Sequence, residues 1–417
     1  CYLKAAMLVE SFPEADLKLA ESYERIHRLD EARDRLRRVL RARPGWPPAC
    51  LLAARLDRRQ SEWQSAETQL RDLANETRHP PVFRAEVLGE LALLYDSTAR
   101  YAEAWRTILE CKAILLAGDD RERQASDIVL RRFQQFVNDL NRPRWRTWRQ
   151  PYSGPHDLAL LCSFPRSGTT LLEQMLKRHP GVVTSEERNV FALEVFPNLS
   201  DVRSHEVPVA EIMDHLEETR VCQQRDRYLR MMEQWLREPI GSRLHIDKNP
   251  ALTLMIPIYT ALFPQAKTLY VARDPRDVFV SCFLRFLPLN PVSVCFLTME
   301  RLLRRMTLDW SAWIKFRTEL DSPWLQVSYE RLVTRPTTEL RRVVDFLDLA
   351  WDDSIITGTA ARPTVVMSPS YEAVARPVYE TAVGRWRNYV SFLEPVMPEL
   401  ELLTERLSAE HEATDEL

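Results

Sequence analysis

The chain is short of glycine, with nine in 417 residues. A glycine that falls inside a tight loop is therefore informative, because few are spent on loose connections. Paired cysteines are missing too. The seven present, Cys1, Cys50, Cys111, Cys162, Cys222, Cys282 and Cys295, lie scattered, with no C-x-x-C and no His/Cys cluster. That pattern argues against a zinc framework and a disulfide scaffold, and it points to a reducing, cytoplasmic setting. No apolar run reaches the roughly 20 residues of a membrane span, and no signal peptide is visible. The chain begins on Cys1 instead of methionine, which leaves room for a preceding segment. Charge of one sign is lacking as well. A formal net charge of −3 gives no reason to expect nucleic acid, and no membrane is expected as partner. What remains, 45% hydrophobic and 28% charged, is the composition of a globular protein long enough for two domains.

One of the nine glycines sits where it carries most. Leu158 to Ser163 is an apolar run short enough for a buried strand, and Pro165-Arg166-Ser167-Gly168 turns the chain into a helix expected over Thr170 to Arg178. Strand, tight loop and helix aim several backbone N–H groups and a helix N-terminus at one spot, which suits an anion. The spacing is close to a P-loop, with Ser163 in place of the first glycine and Thr169 in place of the lysine. The cation is Arg166 instead, whose planar fork of donors matches a phosphate or sulfate. An ordinary turn capped by Ser167 and Thr169 would use the same hydroxyls, though it would not need the arginine.

Residues 1 to about 116 read as helices that repeat. Ala20 and Ala32, Ala54 and Ala66, Ala92 and Ala104 share an internal spacing of 12, with the pairs offset by 34 and then 38 residues. That period resembles a tetratricopeptide repeat, and it implies a surface for docking a protein or peptide, or for a homodimer. Residues 117–155 read as a helix over about Glu122 to Leu140 and a linker carrying Arg142, Arg144, Arg146 and Arg149, either a solvated basic stretch or the rim of an anion site. From 156 to 400 the pattern alternates. Strands are expected at 158–163, 267–272 and 324–327, with helices notably over Glu211 to Met232 and Tyr329 to Asp348, so a parallel sheet with helices on both faces follows. Residues 401–417 form a C-terminal tail.

Three more stretches carry chemistry. Glu186-Glu187 stands just beyond the anion loop, where a carboxylate is either a proton acceptor or part of a solvated acidic turn. His245-Ile246-Asp247-Lys248-Asn249-Pro250 offers Lys248 as a point charge on a transferring oxygen, and Asp247 as a magnesium ligand for a kinase-like alternative. Arg273 falls at a strand end, and Ser281 and Arg285 share one face of the next helix, which makes either a second anion site or a set of helix-face salt bridges to Asp274 or Asp277. Two anion sites fit a ligand with phosphates at two places.

Taken together, Pro165 to Thr170, Glu187, Asp247 to Pro250 and Arg273 through Ser281 resemble sulfotransferases that use 3′-phosphoadenosine-5′-phosphosulfate (PAPS), and most of all the tyrosylprotein branch. The resemblance implies an α/β P-loop-like sulfotransferase domain preceded by an all-α tetratricopeptide-repeat domain. It implies that Arg166, Ser167, Gly168, Thr169 and Thr170 cradle the 5′-phosphosulfate, and that Arg273, Ser281 and Arg285 hold the 3′-phosphate. Tyr329 would lie by the nucleotide, with Ser370 and Arg385 in a lid over it. Glu187 takes the place of the general base, while Lys248 and Arg166 stabilise the charge that develops during a direct in-line transfer to an acceptor hydroxyl. The product would be adenosine 3′,5′-bisphosphate, and no metal is expected. Ser185 stands where the branch has glycine and Arg385 where it has lysine, so the acceptor stays open between peptide tyrosine and a phenol or alcohol of a small molecule. A P-loop kinase using ATP and magnesium, or a catalytically dead repeat adaptor, are the competing expectations.

Overall fold

The computed structural model describes residues 12–118, 120–149, 151, 154, 157–201, 207–236, 238–357 and 382–408. Six helices come first: α1 (Pro13–Arg25), α2 (Leu29–Ala42), α3 (Pro47–Arg59), α4 (Trp63–Asn75), α5 (Pro81–Ser97) and α6 (Tyr101–Leu116). They pack as three consecutive pairs. The six alanines of the sequence repeat are all buried, because a methyl group at each crossing is what lets paired helices approach closely. Helices α1 to α3 share one apolar cluster, and α3 to α6 a second.

Helix α5 buries apolar residues on two sides, leaving Glu86 and Glu90 on a narrow face where they pair with Arg55 and Arg58. Val87, Leu91 and Leu94 pack within the helical region, while Ala85, Leu88 and Ala92 join the main core of the following domain. Gly89 lies at that seam, where an added Cβ would stand 2.4 Å from the Phe286 Cβ. From α6, Trp105 stacks on Phe392 at 5.4 Å and tilts over Phe283 at 4.9 Å. Lys112 is buried beside them, donating to the Phe296 carbonyl with its ammonium 4.5 Å from the Phe283 ring centre. Burial pushes this lysine down to about 8.

A helix α7 (Arg121–Asp139) and a short α8 (Arg142–Trp148) connect the two regions. The basic linker turns out to be paired and not a ligand rim. Arg144 meets Asp214 at 2.5 Å, Arg146 meets Asp321 at 2.5 Å, and Trp145 and Trp148 anchor α8 in the core.

The domain that follows is a five-stranded, all-parallel sheet in the order β2-β3-β1-β4-β5. Its strands are β1 (Leu158–Cys162), β2 (Val182–Glu186), β3 (Leu244–Lys248), β4 (Lys267–Ala272) and β5 (Trp324–Ser328), and helices bury both faces. Between β1 and β2 lies α9 (Thr169–Leu176). The helix expected over 211–232 is two, α10 (Val209–Asp214) and α11 (Glu218–Leu236), broken at His215. The one expected over 329–348 is also two. After α12 (Ile256–Leu262), α13 (Pro275–Phe283) and α14 (Met299–Glu319), the chain forms α15 (Tyr329–Thr334) and α16 (Pro336–Phe346). Pro336 is the cause, since it disfavours helical backbone at Arg335, which sits at φ −138 and ψ 57.

Strands β2 and β3 were not expected from periodicity. Each is fully buried yet rich in polar residues, some of which pair across the fold: His245 hydrogen-bonds Ser185 Oγ at 3.0 Å, and Tyr228 donates to Asp247 at 2.7 Å. The chain leaves the central β1 in one direction for β2 and β3 and in the other for β4 and β5, so the carboxyl ends flanking β1 form the switch point where such sheets bind ligands.

Candidate active site

The anion loop leaves β1 with Ser163 hydrogen-bonded to the Val271 carbonyl of β4. Arg166 then adopts φ 72 and Gly168 φ 106 before α9 begins. Left-handed backbone at a non-glycine residue costs roughly 1–3 kcal/mol and persists only where neighbours enforce it. Here the neighbour is Arg273, whose Nη1 donates to the Arg166 carbonyl at 2.9 Å. Glycine at 168 has a second reason: a Cβ there would lie 2.3 Å from a ring carbon of Tyr329. That ring in turn faces the Arg273 guanidinium at 4.5 Å.

Both predicted anion sites meet in this place. Arg166 Nε donates to Ser281 Oγ at 3.1 Å, so the loop and α13 are joined. Burial, followed by the charges of Arg285, Arg273 and Arg385, pushes the Arg166 guanidinium down to about 9. Ser167 Oγ is buried and makes no hydrogen bond among the described residues. Converging cations, a buried hydroxyl in need of a partner and the N-terminus of α9 are the properties of a site built for anionic oxygens.

The carboxylate and the lysine also come together. Glu187, directly after β2, takes φ 37 and donates its N–H to the Lys248 carbonyl at 2.7 Å. Its carboxylate meets the Lys248 ammonium at 2.8 Å and remains 31% exposed, whereas the lysine is completely buried. Thr170 Oγ1 lies 3.5 Å and Glu173 Oε2 3.3 Å from the same ammonium. Burial works against the charge on Lys248, but Glu173 and Glu187 outweigh it and its pKa is raised.

Asp247 does not join them. Successive strand residues alternate faces, so Asp247 points to the other side of β3, where it bonds Tyr228 and burial pushes it up to about 7. The carboxylate that the kinase alternative needs near the loop is therefore turned away from it.

Arg385 borders the same cavity, paired with Asp96 of α5 at 2.5 Å, and Tyr389 donates to that carboxylate at 2.6 Å. Asp277 of α13 fixes the backbone here, accepting from Gly384 N at 2.7 Å and Trp386 N at 2.8 Å. Ser370 and the lid segment through Tyr379 lie outside the described residues. Sequence reasoning missed Glu173, Asp96 and Asp277. Only the place of Glu173, three residues after Thr170 on one helix face, offered any hint.

Of these residues, Arg166, Thr170, Glu187, Arg273, Ser281 and Arg385 line one cavity of about 1500 Å³, while Ser167, Lys248 and Glu173 are buried behind its lining. Besides these cations the lining includes Val129, Phe133, Leu193, Phe196, Leu254 and Met255, with Arg132 over the Phe196 ring. The volume exceeds the range of about 300–1,000 Å³ typical of a single small-ligand pocket, which leaves room for two reactants.

Fold and site together define a P-loop-like α/β domain in which Arg166 joins the loop to Ser281 of α13, with a lysine–carboxylate pair nearby. Residues 159–353 match the model of the sulfotransferase family. Protein-tyrosine sulfotransferase A of Caenorhabditis elegans is 27% identical over 260 residues, 57% of this chain and 64% of its own length. The protein-tyrosine sulfotransferase of Drosophila melanogaster is 27% identical over 273 residues, 61% of this chain and 51% of its own. Protein-tyrosine sulfotransferase 2 of Gallus gallus is 26% identical over 301 residues, 68% of this chain and 74% of its own. For the first two, the chain spans less than two thirds of the relative's length.

Proposed function

We propose that the protein transfers the sulfuryl group of PAPS to an acceptor hydroxyl, on a peptide tyrosine or on a phenol or alcohol of a small molecule. The observation that carries this reading is the junction of the two anion subsites, through Arg166 and Ser281, beside the Lys248–Glu187 pair in one cavity. A kinase using ATP and magnesium would have no need of Arg273, Ser281 and Arg285, and it would lack both the loop lysine and Asp247.

In this reading Ser167, the loop N–H groups and Arg166 hold the 5′-phosphosulfate, while Arg273, Ser281 and Arg285 take the 3′-phosphate. Tyr329 and Arg385 flank the nucleotide. The acceptor occupies the apolar part of the cavity with its hydroxyl towards Glu187, the member of the pair that lines it. Glu187 removes the proton as the new O–S bond forms, and Lys248 and Arg166 stabilise charge on the bridging oxygen and sulfuryl group. The buried alanine pairs support reading residues 1–116 as tetratricopeptide repeats, with docking of a protein or peptide as their role.

Thermal stability in the presence of adenosine 3′,5′-bisphosphate, adenosine 5′-phosphate, and ATP with magnesium tests the proposal. A ligand at a hundred times its Kd adds about 2.7 kcal/mol. Stabilisation by the bisphosphate alone is expected, followed by label transfer from sulfur-labelled PAPS to a phenol or tyrosine peptide. Stabilisation by ATP with magnesium alone would overturn it.

A further inference from the structure

Lys248 has more counter-charge than a resting lysine needs. Its ammonium is fully buried, 2.8 Å from Glu187 and 3.3 Å from Glu173, and the Glu173 side chain is fully buried too. One carboxylate is enough to neutralise one ammonium. A second buried carboxylate is costly unless hydrogen bonds satisfy it. Among the described residues the Glu173 carboxylate has only its ion pair with Lys248, at a geometry that leaves both oxygens without a well-aligned hydrogen bond. Burial and the nearby Glu186 both raise its pKa, with Lys248 and Lys177 offsetting this only in part. The fold thus holds a destabilising group against the lysine, which needs a reason.

The reason lies in the proton balance of the transfer. The acceptor O–H bond breaks and its proton goes to Glu187. The O–S bond forms, and the bond from sulfur to the nucleotide's 5′-phosphate breaks with its electron pair staying on the phosphate. Glu187 ends neutral, so Lys248 loses one counter-ion at the moment its charge is needed. We propose that Glu173 is a positioning residue that keeps Lys248 charged and in place while Glu187 takes up the acceptor's proton. The inference rests on the sulfuryl-transfer reading for its purpose, but its electrostatic core can be measured without any transfer.

The test uses the full chain and Glu187→Gln, which imitates the neutral acid. The titration of the Lys248 ammonium is followed by NMR of nitrogen-labelled lysine, with and without Glu173→Gln, and Lys248→Arg assigns the signal. With Glu173 present, Lys248 should stay protonated through neutral pH. With both carboxylates replaced, its pKa should fall by more than about one unit, a tenfold change in proton affinity. Glu173→Met, which fills the space without charge, supplies the same comparison if the glutamine variant does not fold. Equal titration with and without Glu173 would overturn the proposal. In the otherwise native chain, Glu173→Gln should lower kcat by about 10²-fold, the scale of losing one preorganised charge contact, with bisphosphate affinity unchanged. Glu173→Asp should recover part of the loss. If kcat is unchanged, Glu173 does not serve the transfer. Absence of transfer by the native chain would sink the activity reading alone, since the titration still decides what Glu173 does.

Discussion

Glu187 is held by two interactions with the same residue, its N–H on the Lys248 carbonyl and its carboxylate on the Lys248 ammonium. Neither reaches the arginines around the anion loop. Glu187→Gln should therefore lower turnover by about 10²–10⁴-fold, the usual contribution of a positioned base, while calorimetry finds the bisphosphate bound as before. Gly168 is different, because it serves conformation and contact at once. Gly168→Ala places a methyl group on the Tyr329 ring at a left-handed position. A loss of more than about 1 kcal/mol of stability, seen as a lower melting temperature, should accompany weaker bisphosphate binding. Gly168 was legible in the sequence because the loop's chemistry is local, with cation, glycine and hydroxyls within six positions, whereas Glu187 was singled out by the resemblance and not by its own surroundings. Glu173 was not legible, since a glutamate in a short helix reads as a solvent-facing position until β3 is seen to lie beneath it.

At the scale of elements, the sequence showed what periodicity encodes and hid what pairing decides. Strands β1 and β4 announce themselves as apolar runs. Strands β2 and β3 do not, because their buried His245, Ser185 and Asp247 are made tolerable by pairing across the fold with one another and with Tyr228. The link between α5 and the Arg385 part of the cavity wall was equally hidden, since Asp96 and Arg385 are 289 positions apart. Asp96 holds both Arg385 and Tyr389, and burial alone would disfavour the charge on Arg385. Asp96→Asn should leave the secondary structure intact by circular dichroism and weaken bisphosphate binding. An unchanged affinity would show that Arg385 finds its place without α5.

Across the whole molecule, the helical region is not uniform in its attachment. The first two helical pairs build their clusters within that region, whereas α5 and α6 contribute Leu88, Trp105, Ile108 and Leu115 to the main core. Removing a buried tryptophan alone costs about 3–5 kcal/mol. A chain starting at Pro80 should keep cooperative unfolding and bisphosphate binding, and one starting at Gly118 should lose both.

Lys112 gives that attachment a chemical clock. With burial holding its pKa down to about 8, the Lys112 amine is about half unprotonated at pH 8, yet no acylating reagent can touch it while α6 rests on Phe283 and Phe296. Its modification rate under native conditions therefore counts how often the hairpin lifts. Mass spectrometry of the acylated peptide should show slow labelling that accelerates when Trp105 is truncated to alanine, while lysines at the surface keep their rate.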